Sequence, residues 1–266
     1  MKRRRVGSSL IRSATLVIVI GLLPGTARAF HEATVHVEAG AWFPSLDAEA
    51  RSSSFGVAGN LVTDADLGLD DPDVVLNGAV TFRLVQRHTL RIDGFALSVD
   101  GSRQTDRSFT FDGRTYPIST GITSEAEVAF VGVDYGYDLL HTKQAALGLT
   151  LGVRVVSAEA SIKAPALNQE GKGELQAALP AVGLRVVLHP IPVPPFASLA
   201  LAGRLSGGTI GERGSFIDGD AGIEWLPIPL LAIRVGYRYF HGQGEDSGDE
   251  ADVTLSGPYA SLTLAF

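Results

Sequence analysis

The chain has no cysteine among its 266 residues. That excludes a disulfide framework, a thiolate metal site and a cysteine nucleophile. It also excludes a lipidated leader, which needs a cysteine at its cleavage point. Long apolar runs are missing too. Beyond residue 29 no stretch reaches 18 uninterrupted apolar residues, so no transmembrane helix is predicted. Basic residues are outnumbered, 22 Lys and Arg against 29 Asp and Glu. Nucleic acid calls for a basic face and is not an expected partner.

What is present begins with a leader. Lys2 and Arg3 to Arg5 precede an apolar run from Ala14 to Leu23, then Pro24-Gly25 and Ala27-Arg28-Ala29. A basic start, a short apolar core and an A-x-A ending predict a secretory signal peptide over residues 1–29, cleaved before Phe30. The apolar run is too short for a spanning helix, which needs about 20 residues. The leader holds six of the 22 basic residues and no acid, so residues 30–266 carry 16 basic and 29 acidic residues, net −13. Their 237 positions suffice for one β domain, and the 31 glycines of the chain, scattered rather than clustered, suit strands and turns.

Period-two alternation runs through most of that domain, which is the signature of strands and not helices. Val35, Val37, Ala39, Ala41 and Phe43 share one face, with His36, Glu38, Gly40 and Trp42 opposite. Val131, Val133, Tyr135 and Tyr137 oppose Gly132, Asp134, Gly136 and Asp138. Leu147 to Val155 and Leu231 to Tyr239 repeat the pattern, and the last strand sets Leu262, Leu264 and Phe266 against Ser261, Thr263 and Ala265. The expectation is an all-β fold, a transmembrane antiparallel up-and-down β-barrel of about ten strands, with eight as the alternative. Connections alternate in length: short at 85–88, 139–143, 189–195 and 226–229, long at 44–74, 99–120, 163–172, 207–214 and 242–252. Tight periplasmic turns and longer outward loops are the asymmetry of outer-membrane barrels. The proline-rich turns His189 to Pro195 and Leu226 to Pro229 read as strand breaks. Aromatics on the apolar face fall into two girdles: Phe82, Tyr135, Tyr137, Phe196, Trp225 and Phe266 near the short turns, Phe43 and Tyr239 near the long loops.

The closing hairpin, Val235-Gly-Tyr-Arg-Tyr-Phe240 followed by Ser256-Gly-Pro-Tyr-Ala-Ser-Leu-Thr-Leu-Ala-Phe266, resembles the end of small outer-membrane β-barrel proteins of Gram-negative bacteria, in the broad style of OmpW and OmpA-like barrels. The resemblance implies residence in the cell outer membrane, contact with its lipid and lipopolysaccharide, and assembly by the insertion machinery that reads the C-terminal strand. It implies no ligand or reaction. No catalytic motif of a barrel enzyme matches residue by residue.

Chemistry concentrates on the polar face. Arg83, Arg91, Arg154, Arg185, Arg204, Arg234 and Arg238 share it with Glu38, Asp93, Asp134, Asp138, Asp218, Asp220 and Glu224. In lipid these charges belong in the lumen, since an Arg at the bilayer midplane costs roughly 2–4 kcal/mol. A register in which residue numbers sum to 458 sets Glu224 opposite Arg234 and Asp220 opposite Arg238. One reading is a structural network filling a narrow barrel. The alternative is a narrow small-solute pore, porin-like, with selectivity set by charged rings. The inward glycines, Gly132 and Gly152 among them, make room for water or for the arginines. An enzyme is not expected. The third reading, a barrel hydrolase, rests on His241 at the outer rim near Glu245, Asp246, Ser247 and Asp249. Asp64, Asp66, Asp70, Asp71 and Asp73 are weak candidates for divalent cations bridging an acidic loop to lipopolysaccharide, although their spacing fits no EF-hand. Gly207, Gly208 and Gly211 form no phosphate loop, because no Lys and no helix follow, and no cofactor is expected. Ser108 to Phe111 and Thr115 to Ile118 could pair as a small hairpin above the membrane.

Overall fold

The computed structural model describes residues 33–51, 62–142, 145–193, 197–211, 214–228, 230–246 and 249–266. The expected leader, His31, Phe196 and Ser247 lie outside them. Ten strands form the wall: β1 (Val35–Trp42), β4 (Val75–Val85), β5 (His88–Gln104), β8 (Gly121–His141), β9 (Ala145–Ala164), β10 (Gln169–Val193), β11 (Ala197–Thr209), β12 (Gly214–Ile228), β13 (Leu231–Asp246) and β14 (Asp249–Ala265). Each pairs antiparallel with the next, and β14 returns to β1 from His36↔Ala265 to Trp42↔Tyr259. The sheet closes on itself, so the wall has no free edge along that stretch. Short pieces cap the outer end: β2 (Ser45–Arg51), β3 (Val62–Thr63), α1 (Asp64–Leu67) and the hairpin of β6 (Phe109–Phe111) with β7 (Arg114–Tyr116).

The outside of the lower wall is apolar. Leu147, Leu149, Leu151, Val153 and Val155 on β9 are exposed, as are Val131, Val133, Tyr135 and Tyr137 on β8. On β8 the band runs from Leu139 to Ala129, ten steps of about 3.3 Å, or roughly 25 Å along the barrel axis at a tilt of about 40°. That matches the apolar band of a membrane barrel. The predicted girdle residues Phe43, Phe82, Tyr135, Tyr137, Trp225, Tyr239 and Phe266 all lie exposed on this outer face.

Above the band the hydropathy inverts while the pleat continues. Glu125 and Glu127 point out from β8, and Ala126 and Val128 point in. Glu127, Glu159 and Glu174 are direct neighbours across β8, β9 and β10, all exposed. Three predicted long loops are therefore strand. Segment 163–172 turns only at Pro165–Leu167 and Asn168, whose φ is 50°. Segments 207–214 and 242–252 mostly extend β11, β13 and β14. The prolines near 190 and 227 do not end their strands early either. β10 continues to Val193 and β12 to Ile228, each with a register irregularity, between Leu188 and Ile191 and between Trp225 and Ile228. Bulges tolerate a residue that cannot donate to the ladder.

β1 breaks at Phe43 and Pro44, and β2 takes over its place beside β14, from Ser45↔Ser256 to Arg51↔Glu250. There the wall is completed by the first loop: β3 pairs β2, and Leu69 bridges Gly101 of β5. The helix α1 is held by a capping box. The Asp66 amide donates to Thr63 Oγ1, and the Thr63 amide donates to the Asp66 carboxylate. Gly68 closes it at φ 66°, a left-handed conformation that favours glycine.

Arg107 donates to both oxygens of Asp66, at 3.1 and 2.5 Å. These hydrogen bonds, helped by the Thr63 amide and opposed by partial burial, hold the Asp66 carboxyl below its usual value. A depressed carboxylate contributes stability above its unfolded value and loses it as pH falls through the folded one. Hydrogen-exchange protection of the α1 amides is expected to hold at neutral pH and drop below the ordinary carboxylate range. Asp66→Asn should lower it at neutral pH. Unchanged protection from pH 7 to pH 3 would refute this.

Candidate functional site

Three layers fill the barrel. The lowest is charged. All seven arginines and seven acids named from sequence project into it, and each has an opposite charge within 4.0 Å. Nine of them form one continuous chain of contacts. Asp134 accepts from Arg154 at 2.8 and 2.5 Å. Arg154 and Arg91 both approach Asp93 at 4.0 Å. Arg91 donates to Glu38 at 3.1 Å, and Arg204 lies 3.9 Å from Glu38. Asp220 then gathers Arg204 at 2.9 Å, Arg234 at 3.0 Å and the Tyr259 hydroxyl at 3.0 Å. Arg234 reaches Glu224 at 3.8 Å.

Two satellites stand apart. Asp138, fully buried, meets Arg185, His141 at 3.1 Å and Arg83 at 3.9 Å. Arg238 grips Asp218 with two bonds of 3.0 Å and lies 5.0 Å over the rings of both Trp42 and Phe95. The planar guanidinium permits both contacts at once, a bidentate fork in plane and an aromatic face above.

The glycines below these pairs make room for side chains. A Cβ on Gly132 would stand 2.4 Å from the Arg154 guanidinium, and one on Gly152 would stand 2.2 Å from an Asp134 oxygen. The Cα register has Glu224 facing Arg234 and Asp220 facing Arg238. The tight contacts are displaced along β12, by two residues for Arg238 to Asp218 and by four for Arg234 to Asp220. Long side chains reach the diagonal neighbour as easily as the direct one. A cavity of ≈ 190 Å³ remains in this layer, between His36, Arg83 and His141 below and Arg154 and Asp218 above.

The middle layer was not foreseen. Trp42, Phe95, Phe130, Phe216 and Phe240 meet inside the barrel. Phe95 and Phe130 stack at 5.2 Å, Phe240 packs edge-on at 5.3 and 5.0 Å from them, and Phe216 and Trp42 close the sides at 5.7 and 5.6 Å. Trp42, Phe130 and Phe240 are fully buried. Such edge-to-face contacts add to the area these rings bury. The signal was present, since each ring occupies the inward phase of its strand, but each strand supplies only one.

Above the rings the inward side chains become small, with Ala48, Ala126, Ala158, Ala160 and Ala251 around a second cavity. It is roofed by the third layer, where Phe109, Phe111 and Tyr116 of the predicted hairpin pack with Val62, Leu67, Ile122 and Ile162.

The remaining candidates are dispersed. His241 lies within β13, opposite Thr254, whose hydroxyl is 3.0 Å from Nδ1, with Asp252 at 3.5 Å. It is not at an open rim, because the expected loop is strand. Asp66 is engaged by Thr63 and Arg107, Asp71 accepts the Leu46 amide at 2.7 Å, and Asp70 and Asp73 are exposed. Among the described residues no three His or carboxylate side chains converge as metal ligands. Asp64 stands in the first turn of α1, and Glu245 and Glu250 belong to β13 and β14, with Glu250 paired to Arg51 at 3.0 Å.

No family model matches the chain, and no curated protein matches it in sequence. Solved structures do resemble it. The outer membrane protease OmpT from Escherichia coli aligns with a TM-score of 0.56 at 9% identity, over 88% of this chain and 97% of that one. The transport unit of the autotransporter AIDA-I from Escherichia coli aligns at 0.44, with 12% identity over 88% and 90%. Neisserial surface protein A aligns at 0.34, with 14% identity over 87% and 97%. At such identities the likeness to OmpT is one of fold and carries no activity. The chain has the architecture of a bacterial outer-membrane protein, a closed antiparallel barrel of ten strands.

Proposed function

We propose that this protein is a non-conducting barrel of the outer membrane with a structural or interaction role, exported by its leader and surrounded by outer-membrane lipid and lipopolysaccharide. The single observation that carries this reading is the aromatic layer. Any solute path along the axis must pass Trp42, Phe95, Phe130 and Phe240, which are buried and packed ring against ring. Charge supports the same reading. A selective pore uses rings of one sign, whereas seven arginines meet seven carboxylates here. We propose no catalytic role, since the one imidazole considered for it is held between Thr254 and Asp252 on the outer wall.

Planar-bilayer recording tests this. The refolded protein is expected to give no discrete openings, while simultaneous Phe95→Ala, Phe130→Ala and Phe240→Ala should create them. Regular openings in the unaltered protein would overturn the reading in favour of a narrow pore. Recovery from the outer-membrane fraction, with heat-modifiable migration on a gel, tests the placement separately.

A further inference from the structure

Two guanidiniums at the bottom of the charged layer share one carboxylate. Arg185 donates to one oxygen of Asp138, and Arg83 lies 3.9 Å from the other. His141 takes a further share of Asp138 at 3.1 Å. Among the described residues no second acid comes within 4.0 Å of Arg83 or Arg185. Glu224 also lines the cavity, but its nearest cation is Arg234, at 3.8 Å. Most of the donors of the two arginines are uncommitted. Arg185 uses only Nη2, and Arg83 uses only Nη1, on the Gln86 carbonyl. Nε and Nη1 of Arg185 and Nη2 of Arg83 are accessible in the cavity that both residues line. The strand register adds to the positive charge. Arg185 stands directly across from Arg204 on β11, and from Gly148 on β9, which has no side chain to offer. Like charges directly opposite each other destabilise a strand pair.

A donor set of this kind suits an anion. A cation would meet two guanidiniums. Water solvates open N–H groups but brings no charge against the excess. The planar fork of an arginine matches the paired oxygens of a carboxylate or a phosphate. Two observations favour the carboxylate. The layer already balances seven arginines against seven acids, so a monoanion disturbs it less than a phosphate dianion. Beside Arg185, Val187 and Ala146 are direct partners across β10 and β9, and both line the cavity as an apolar ledge. The cavity holds ≈ 190 Å³. One water takes about 10–15 Å³ of such space, so a solute of several non-hydrogen atoms fits. We propose that the lower cavity is a binding site for a small monocarboxylate. Arg185 and Arg83 hold its two oxygens, and its short hydrocarbon body lies against Val187 and Ala146. The site is on the periplasmic side of the aromatic layer, so its ligand comes from the periplasm and does not cross the barrel.

The test uses the full barrel in nanodiscs and propionate labelled with carbon-13 at its carboxyl. The barrel is expected to broaden the labelled resonance saturably. Unlabelled propionate should reverse the effect, and propanol, of similar shape but uncharged, should not. Arg185→Gln and Arg83→Gln should each weaken binding by about tenfold or more, the worth of one charge-assisted hydrogen bond. Ala146→Leu keeps both guanidiniums and fills the ledge. It should weaken propionate while leaving formate, which has no hydrocarbon body, unchanged. Each variant is checked for heat-modifiable migration, and one that misfolds leaves the others to decide. No saturable broadening by the unaltered barrel, competition by propanol equal to that by propionate, or binding unmoved by both arginine substitutions would overturn the proposal. So would displacement of propionate by inorganic phosphate at the lower concentration, which would make the site one for phosphate. Conductance does not enter this test, so its outcome is independent of the non-conducting role.

Discussion

Arg154→Leu is expected to destabilise the folded barrel by about 3–5 kcal/mol. Arg154 is 3% exposed and donates two bonds to Asp134, at 2.8 and 2.5 Å, with a further approach to Asp93. Its guanidinium also lies 5.7 Å over the Phe130 ring, at the junction of the charged and aromatic layers. Removing it leaves two carboxylates in a space that Gly132 and Gly152 shape for a guanidinium and its partner. The cost arises from the uncompensated charge more than from the loss of attraction. The double variant Asp134→Leu, Arg154→Leu should therefore be more stable than Arg154→Leu alone. Arg154→Lys should fall between wild type and Leu, since an ammonium keeps the charge but not the bidentate fork. Urea unfolding in lipid vesicles, followed by tryptophan fluorescence, measures all four. A loss under 1 kcal/mol for Arg154→Leu would mean that the lower cavity is wet enough to solvate Asp134 unaided.

Leu151→Arg should cost about 2–4 kcal/mol in a bilayer, because Leu151 stands at the middle of the outward row from Leu147 to Val155. Glu127→Arg, above the band, should change stability by about 1 kcal/mol or less. The contrast decides what solvent the outer wall meets. In a water-soluble barrel an exposed Leu→Arg change would fall within about 0.5 kcal/mol. Equal, small effects at both positions would reject the membrane band. The same experiment fixes the height of the barrel, since the cost should fall away from Leu151 toward Leu147 and Val155.

Much of the fold was legible in sequence because alternation is local. A strand that sets Val131, Val133 and Tyr135 against Gly132 and Asp134 declares its two faces within five residues. The same argument placed Arg83, Arg234 and the other charges inside. The upper strands read as loops in sequence for an equally local reason. From Ala129 upward β8 presents Glu127 and Glu125 outward and Ala126 and Ser124 inward. Its period is unchanged, but hydropathy contrast is weak and its sign is reversed. A reading that follows apolar residues loses the strand where the solvent changes from lipid to water. The acids of 242–252 read as a loop in the same way, whereas β13 and β14 carry them up to the Asp246↔Asp249 pair.

The sequence alone determined the strands of the lower wall, the phase of each and therefore the sorting there of charges to the inside and aliphatics to the outside. Those are properties of neighbouring residues, and a two-residue period suffices to specify them. Only the tertiary structure decided what meets across the lumen. Phe240 touches Phe95, and Tyr259 reaches Asp220, though neither pair is joined by any strand register. Such contacts depend on the relative heights that barrel closure imposes on distant strands, which the stagger of the whole sheet sets and no local pattern encodes. The aromatic layer and the chamber above it exist for that reason alone.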